Sequence, residues 1–374
     1  MSLLRILLLS PFALAAILSL SGESLRSHSL ELRGLDESSP RGHSIYKVPL
    51  LNASSVGDKH QRVTILSAHA NSALGPRCGP GLGHCEDGLC CSPSGYCGST
   101  RDHCRSPDCQ LDYGRCDASK TPQGLSTIDI ARPRVGPVPY GRKVYSCTVP
   151  KTVALTFDDG PNIFTSDLLD TLDEFNAKAT FFISGVNSGK GQIDDFTLPW
   201  GHLIQRMHYS GHQIASHSWS HQDLSRISPS QRRDQILKNE AAIRNILGGI
   251  PTYIRPPYSS CTAESGCMDD MEQLGYHVTY FNLDTDDYNN DHPDYIQRSK
   301  DIFDRAMSMQ DPPGRPFLVI AHDVHEQTVH NLTAHMLRKI SDAGYRAVTV
   351  GECLNDPRDL WYRWDYRPQH FTRN

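Results

Sequence analysis

From Tyr145 onward, short apolar runs alternate with amphipathic stretches. "VALTF" (153–157) reads as a buried strand. "TSDLLDTLDEFNA" follows with Leu168, Leu169, Leu172 and Phe175 at helical spacing. The strand-like "TFFISG" and the helical "LPWGHLIQRMHYSG" come next, then "HQIASH" as a third strand. In "SPSQRRDQILKNEAAIRNILGG", Ser228 and Gln231 have capping-box spacing, Pro229 sits at the first helical position and Gly248 is a stop. "TYIRPP", "HVTYFNLD", "FLVIAHD" and "YRAVTV" read as four further strands, with helices near 265–274, 293–309 and 328–342. Seven strands separated by helices imply an α/β domain of parallel strands with right-handed crossovers. Such units close into a barrel or stay open as a doubly wound sheet, and spacing alone does not decide between them.

The chain before Tyr145 has a different character. Arg5 precedes an apolar run from Leu7 to Leu20 that contains Pro11. This reads as a secretory signal, residues 1–21, with cleavage among residues 20 to 26. The run is short for a bilayer span, and a signal anchor is the alternative. Residues 22–76 are polar without periodicity and read as a flexible or processed leader. Residues 77–117 hold eight of the twelve cysteines. Residues 118–143 have the Pro- and Gly-rich composition of a linker. Residues 144–356 form the strand–helix domain, and residues 357–374 a polar tail with no lipid-anchor signal.

Composition narrows the class. A formal charge of −5 with interspersed signs gives no nucleic-acid footprint and no polybasic membrane patch. No stretch after the signal is apolar enough to cross a membrane. Dense, even cysteine usage agrees with export and a disulfide framework. Asn52 and Asn331 lie in N-glycosylation patterns. The expected setting is extracellular, with cell-wall association, and the expected state is a monomer.

Candidate chemistry falls at the C-terminal ends of the expected strands. Asp158 and Asp159 follow the first, His217 and His221 the third, and Arg255 and Tyr258 the fourth. Asp284 and Asp287 follow the fifth, and His322 ends the sixth. Each has a bland alternative. Asp-Asp-Gly-Pro is often a turn, a His-x-x-x-His pair is often a surface accident, and a lone His is usually a satisfied one. His202, His208, His277 and His325 take that bland reading. Polar clusters at five successive strand ends are what a catalytic rim on a parallel sheet looks like. Two imidazoles four residues apart share a face where the segment is helical. With one carboxylate they make a two-His, one-Asp site suited to zinc, with coordination positions left open. The second Asp remains available as a general base.

"TFDDGP", "HSWSH", "RPPY", "DTDDY" and "VIAH" resemble the five motifs of the polysaccharide deacetylases, carbohydrate esterase family 4, across residues 145–354. The resemblance implies a distorted seven-stranded (β/α) barrel and a divalent metal, usually zinc, with another such as cobalt as an alternative. It implies Asp158 as general base and Asp159, His217 and His221 as metal ligands. Arg255 would orient the base, the Tyr258 backbone N–H would hold the oxyanion, and His322 would be the general acid tuned by Asp287. Tyr288 stands where the family commonly has Trp, which predicts an altered pocket wall.

Cys78, Cys85, Cys90, Cys91, Cys97, Cys104, Cys109 and Cys116 are spaced as in the hevein-like chitin-binding module, carbohydrate-binding module family 18. That resemblance implies sugar binding through Ser92, Tyr96 and His103. Ser94 and His103 fill positions that are usually aromatic, so less stacking surface is expected. Cys147, Cys261, Cys267 and Cys353 allow three pairings. The expected ones are 147–353, clamping the domain's ends, and 261–267, bracketing the loop after "RPPY".

Together these readings predict an exported metal-dependent hydrolase that removes N-acetyl groups from the N-acetylglucosamine residues of chitin, giving chitosan and acetate. Alternatives are a deacetylase of peptidoglycan or acetylated xylan, and a non-catalytic chitin-masking protein. A two-His, one-carboxylate iron oxygenase is disfavoured by the strand–helix alternation.

Overall fold

A computed structural model describes residues 75–367. The signal segment, almost all of the leader and Asn52 lie outside them. All seven expected strands are present. They are β1 (Thr152–Asp158), β2 (Thr180–Ile183), β3 (Gln213–Ser216), β4 (Tyr253–Ile254), a fifth in two pieces, β5 (His277–Thr279) and β6 (Leu283–Asp284), then β7 (Phe317–His322) and β8 (Arg346–Val348). Every pairing among them is parallel, in the order β6-β7-β1-β2-β3-β4-β5, with β8 beside β1. β8 takes the first half of one edge of β1, from Thr152 to Ala154, and β2 takes the second half, from Thr156 to Asp158.

The split fifth strand resolves the barrel-or-open-sheet question. β5 pairs with β4 at one side of the sheet, and β6 pairs with β7 at the other. Lys143–Val144 adds a short edge strand outside β5, and residues 280–282 carry the chain from β5 across to β6 at the opposite edge. The sheet curls into a distorted, incompletely laddered barrel rather than an open doubly wound sheet.

Helices α1 (Thr165–Glu174), α2 (Trp200–Tyr209), α3 (Pro229–Leu247), α4 (Cys267–Gln273), α5 (Ile296–Ser308) and α6 (Thr333–Asp342) lie between the strands. β1 is buried along its whole length, as strands covered on both faces must be. α3 starts and stops where its sequence says. Ser228 and Gln231 form the reciprocal capping box, and Gly248 closes the helix at φ 88°. Among the described residues, no helix is long and apolar enough to cross a membrane.

Two segments that look peripheral in sequence are built into the fold. In the linker-like stretch, Arg132 pairs with Glu240 at 2.8 Å, and Thr127 Oγ1 donates to the same carboxylate at 2.6 Å. Glu240 is fully buried, so this stretch supplies the neutralising partners that it requires. In the expected tail, Trp361 is buried and Tyr362–Trp364 pairs antiparallel with Gly249–Pro251.

All twelve cysteines are paired. In the small module, 78–91, 85–97, 90–104 and 109–116 replace the core that about forty residues cannot build. In the barrel domain the pairs are 147–353 and 261–267, as expected.

Candidate active site

Register brings the ends of β1 and β7 together. His322 is the direct partner of Asp158, and each is the last residue of its strand. Asp158 is buried, and its Oδ1 accepts from Arg255 Nη1 at 2.7 Å. Arg255 is itself fixed on all sides. Nη1 also donates to Thr156 Oγ1 (2.6 Å), Nε to Thr279 O (3.3 Å) and Nη2 to Tyr280 O (2.9 Å). Its guanidinium lies 4.2 Å from the Phe182 ring centre. A guanidinium bonded in this way has little freedom, and it keeps one carboxylate oxygen of Asp158 occupied while the other faces His217. Asp158 Oδ2 is 3.9 Å from His217 Nε2.

His217 and His221 do not share a helix face. The segment after β3 is a loop in which Ser218 and His221 have left-handed backbone (φ 69° and 57°). The fully buried Trp219 anchors it. The imidazoles converge through this tight turn, with ring centres 5.0 Å apart. Asp159, also left-handed at φ 75°, closes the set. Its Oδ1 is 3.1 Å from His221 Nε2 and 3.6 Å from His217 Nε2.

These three residues fit a divalent ion. Asp159 Oδ1 is buried and has no hydrogen-bond partner, a state that costs free energy unless something else satisfies it. His217 Nδ1 lies 2.7 Å from Arg255 O. A carbonyl only accepts, so Nδ1 carries the proton and Nε2 presents its lone pair to the site. Burial pushes the His217 pKa down to about 4, which keeps the ring neutral and ready to ligate. One donor atom from each of Asp159, His217 and His221 lies within 4.8 Å of the others. Two imidazole nitrogens and a carboxylate oxygen suit zinc, or cobalt, with room left for water or substrate.

His322 has the opposite environment. Burial works against its charge, but the fully buried Asp287 carboxylate overrides that and lifts its pKa to about 10. Asp287 Oδ1 lies 2.8 Å from His322 Nδ1. Its Oδ2 accepts from the His322 backbone N–H (2.7 Å) and from Thr328 Oγ1 (2.7 Å). The Tyr288 ring stands edge-on to His322 at 5.5 Å, and its hydroxyl donates to Asp284 at 3.2 Å. The departure from Trp thus leaves an aromatic wall with a polar anchor. Tyr258, at φ 57°, is 60% exposed and sets its ring edge-on to His221 at 4.6 Å. The three-residue donor set, Asp158, Arg255, Tyr258, Tyr288 and His322 line one cavity of about 520 Å³, while Asp287 is buried behind His322.

Sequence reasoning missed three contributors. His325 lines the same cavity, 5.7 Å from His322 ring to ring, and lies 3.1 Å from Asp291. Lys190 Nζ donates to the backbone carbonyls of Asp159 and Gly160, both at 2.9 Å. Asp323, fully buried behind them, accepts from Thr165 Oγ1 at 2.6 Å. A Cβ on Gly160 would run into its carboxylate. Asp323 is signalled by its place after His322, whereas nothing in the local pattern around Lys190 marks it.

In the small module, Ser92 Oγ accepts from the Tyr96 backbone N–H at 3.1 Å, and the Arg77 guanidinium lies 4.7 Å from the Tyr96 ring centre. His103 Nδ1 is 2.7 Å from Thr100 Oγ1. Asn331 is exposed on the turn before α6.

A family model described as polysaccharide deacetylase matches residues 145–279, and one described as chitin recognition protein matches residues 77–116. A chitin deacetylase from Colletotrichum lindemuthianum is 43% identical over 226 residues, 60% of this chain and 88% of that protein. One from Pestalotiopsis sp is 41% identical, covering 64% of this chain and 76% of the relative. A probable peptidoglycan-N-acetylglucosamine deacetylase from Arthroderma benhamiae is 39% identical, covering 60% of this chain and 49% of the relative. The solved structure of the Colletotrichum lindemuthianum enzyme superposes with a TM-score of 0.58 at 41% identity, over 62% of this chain and all of that one. The chain belongs to the polysaccharide deacetylase family, carbohydrate esterase family 4, is a hydrolase of amide bonds as its chitin deacetylase relatives are, and carries a chitin-recognition module at its N-terminal side.

Proposed function

We propose that the protein is an exported, metal-dependent hydrolase that removes N-acetyl groups from the N-acetylglucosamine residues of chitin, leaving chitosan and acetate. The observation carrying this reading is the register pair Asp158–His322 beside the Asp159, His217, His221 donor set. It puts a proton acceptor and a charged proton donor at one cavity. In this reading residues 77–117 recognise the polymer, residues 144–356 carry the chemistry and the molecule acts as a monomer.

Asp159, His217 and His221 would hold a divalent ion, which when bound would supply Lewis acidity toward the acetyl carbonyl and acidify water. The chain's own groups then divide the work. Arg255 fixes one oxygen of Asp158, leaving the other to take a proton from the attacking water. Tyr258, on a left-handed turn with its ring against His221, would offer its backbone N–H to the oxyanion. His322, charged because Asp287 pairs with it, donates to the departing nitrogen, since an amide anion is too poor a leaving group.

The chitin-recognition module and the relatives named chitin deacetylases favour chitin over peptidoglycan and acetylated xylan. The test is acetate release from chitin oligomers, polymeric chitin, peptidoglycan and acetylated xylan. Zinc-loaded wild type should act best on the chitin substrates. Asp158→Asn and His322→Ala should each lose about a hundredfold or more. Wild-type activity in either variant, or release from xylan alone, would overturn the reading.

A further inference from the structure

The small module does not hang from a free linker. Asn187 bridges Ser106 in parallel fashion, and the Ser188 N–H donates to Ser106 O at 2.8 Å. Arg101 Nη2 donates to Ser188 O at 2.7 Å. Gln222 Nε2, one residue past His221, donates to Pro107 O at 3.0 Å. Further along the same seam, Gln231 Nε2 donates to Asp112 Oδ1 at 2.7 Å. Trp219 Nε1, inside the loop that carries both imidazoles, donates to Ala118 O at 3.1 Å. Cys90, Cys109, Cys116 and Ala118 belong to the same buried apolar cluster as the barrel core. Continuous apolar burial with satisfied polar groups around it is how a domain interior is built, not how a tethered module sits.

The docked edge lies beside the cavity. Pro107 is held by the neighbour of His221, and Asp108 follows it with its side chain 49% exposed. His221 in turn meets the Tyr258 ring at 4.6 Å, and Tyr258 stands exposed at the cavity.

We propose that the module is a fixed wall of the catalytic cleft, and that Pro107 and Asp108 form a specificity-determining edge beside Tyr258, so that a β-linked N-acetylhexosamine chain long enough to leave the cleft on that side runs onto the module. This rests on the chitin reading of the site. A flexibly tethered module raises the local concentration of polymer whatever its orientation. A fixed wall discriminates by chain length, because only long chains reach it.

The experiment uses the full chain and a ladder of chitin oligomers from dimer to hexamer, read by acetate release and by calorimetric binding. Asp108→Trp places bulk on the edge and replaces no catalytic group. It should lower kcat/KM and affinity for the hexamer about tenfold while leaving the dimer within about twofold. No effect at any length, or the same effect at every length, would overturn the wall. Arg101→Ala combined with Asp112→Ala loosens the seam at two points away from the cavity. It should flatten the length dependence of the wild type, and an unchanged length dependence would refute fixed docking. Should wild type release no acetate from any oligomer, the deacetylase reading fails. The calorimetric ladder then still decides the wall: a hexamer-selective loss in Asp108→Trp supports it, and none removes it.

Discussion

Asp158 and His322 are partnered positions on adjacent parallel strands, each the last residue of its strand. Neighbouring strands lie about 4.8 Å apart, so register alone sets the two groups at one height on the rim. Their surroundings then push them to opposite tasks. Arg255 holds Asp158, and Asp287 holds His322. Both Asp158 and Arg255 are almost wholly buried. Removing one partner from such a pair leaves an uncompensated charge, at a cost of about 3–5 kcal/mol. Arg255→Met should therefore lower the thermal midpoint and cut kcat together. A variant of unchanged stability would mean that the pair contributes far less than its geometry implies.

The His322–Asp287 pair is expected to set the alkaline limit of the rate. The folded-state pKa of His322, about 10, lies above the ordinary 6.5. Its stabilising contribution is thus complete below about 6.5 and disappears as pH rises through about 10. The rate should follow the same protonation, with kcat falling on the alkaline side as His322 loses its proton. Asp287→Asn removes the attraction, so the alkaline limb should move down by about one unit or more. A pH–rate profile of the variant with its basic limb in place would count against His322 as the acid.

Lys190 is expected to act through Asp159. Its ammonium ties down the carbonyls of Asp159 and Gly160, which holds the left-handed turn that aims the carboxylate at the two imidazoles. Lys190→Met should weaken zinc binding by about 10–100-fold, as loss of groups that orient ligands typically does. Competition between the metal-free protein and a chromogenic chelator measures this directly, without reference to turnover. Unaltered affinity would reduce Lys190 to a packing residue.

Cys147–Cys353 joins positions 206 residues apart and closes the barrel domain end to end. Replacing both with Ser should cost about 2–5 kcal/mol, chiefly by freeing the unfolded chain. Thermal or denaturant unfolding would show it. The much shorter 261–267 link, with a separation of 6, should matter less, since loop-closure entropy grows with length.

How legible this was depends on the kind of interaction. The seven strands announced themselves because parallel strands buried on both faces are continuous apolar runs, as in Val153–Phe157. The site residues were visible as polar groups at the ends of those runs. What the sequence concealed is long-range or conformational. The His217–His221 spacing looks helical, but left-handed Ser218 and His221 make it a turn, and helical periodicity cannot reveal that. Lys190 works through its side chain on backbone carbonyls thirty-one and thirty residues earlier, for which a local pattern carries no signal. Composition made residues 118–143 look like a free spacer because their anchors, such as Arg132, meet a partner more than a hundred residues away. Trp361, Tyr362 and Arg363 likewise gave no periodic signal, being three consecutive buried residues at a strand only three residues long.

The fifth strand breaks at residues 280–282, and the Arg255 guanidinium is bonded to Thr279 O and Tyr280 O at that break. A perfect ladder would have committed Tyr280 O to a neighbouring strand and left the arginine a poorer berth. The defect in the cylinder is therefore what gives the cation its seat. Repairing it to gain hydrogen bonds would loosen the grip on Asp158, so a more regular barrel would make a worse catalyst.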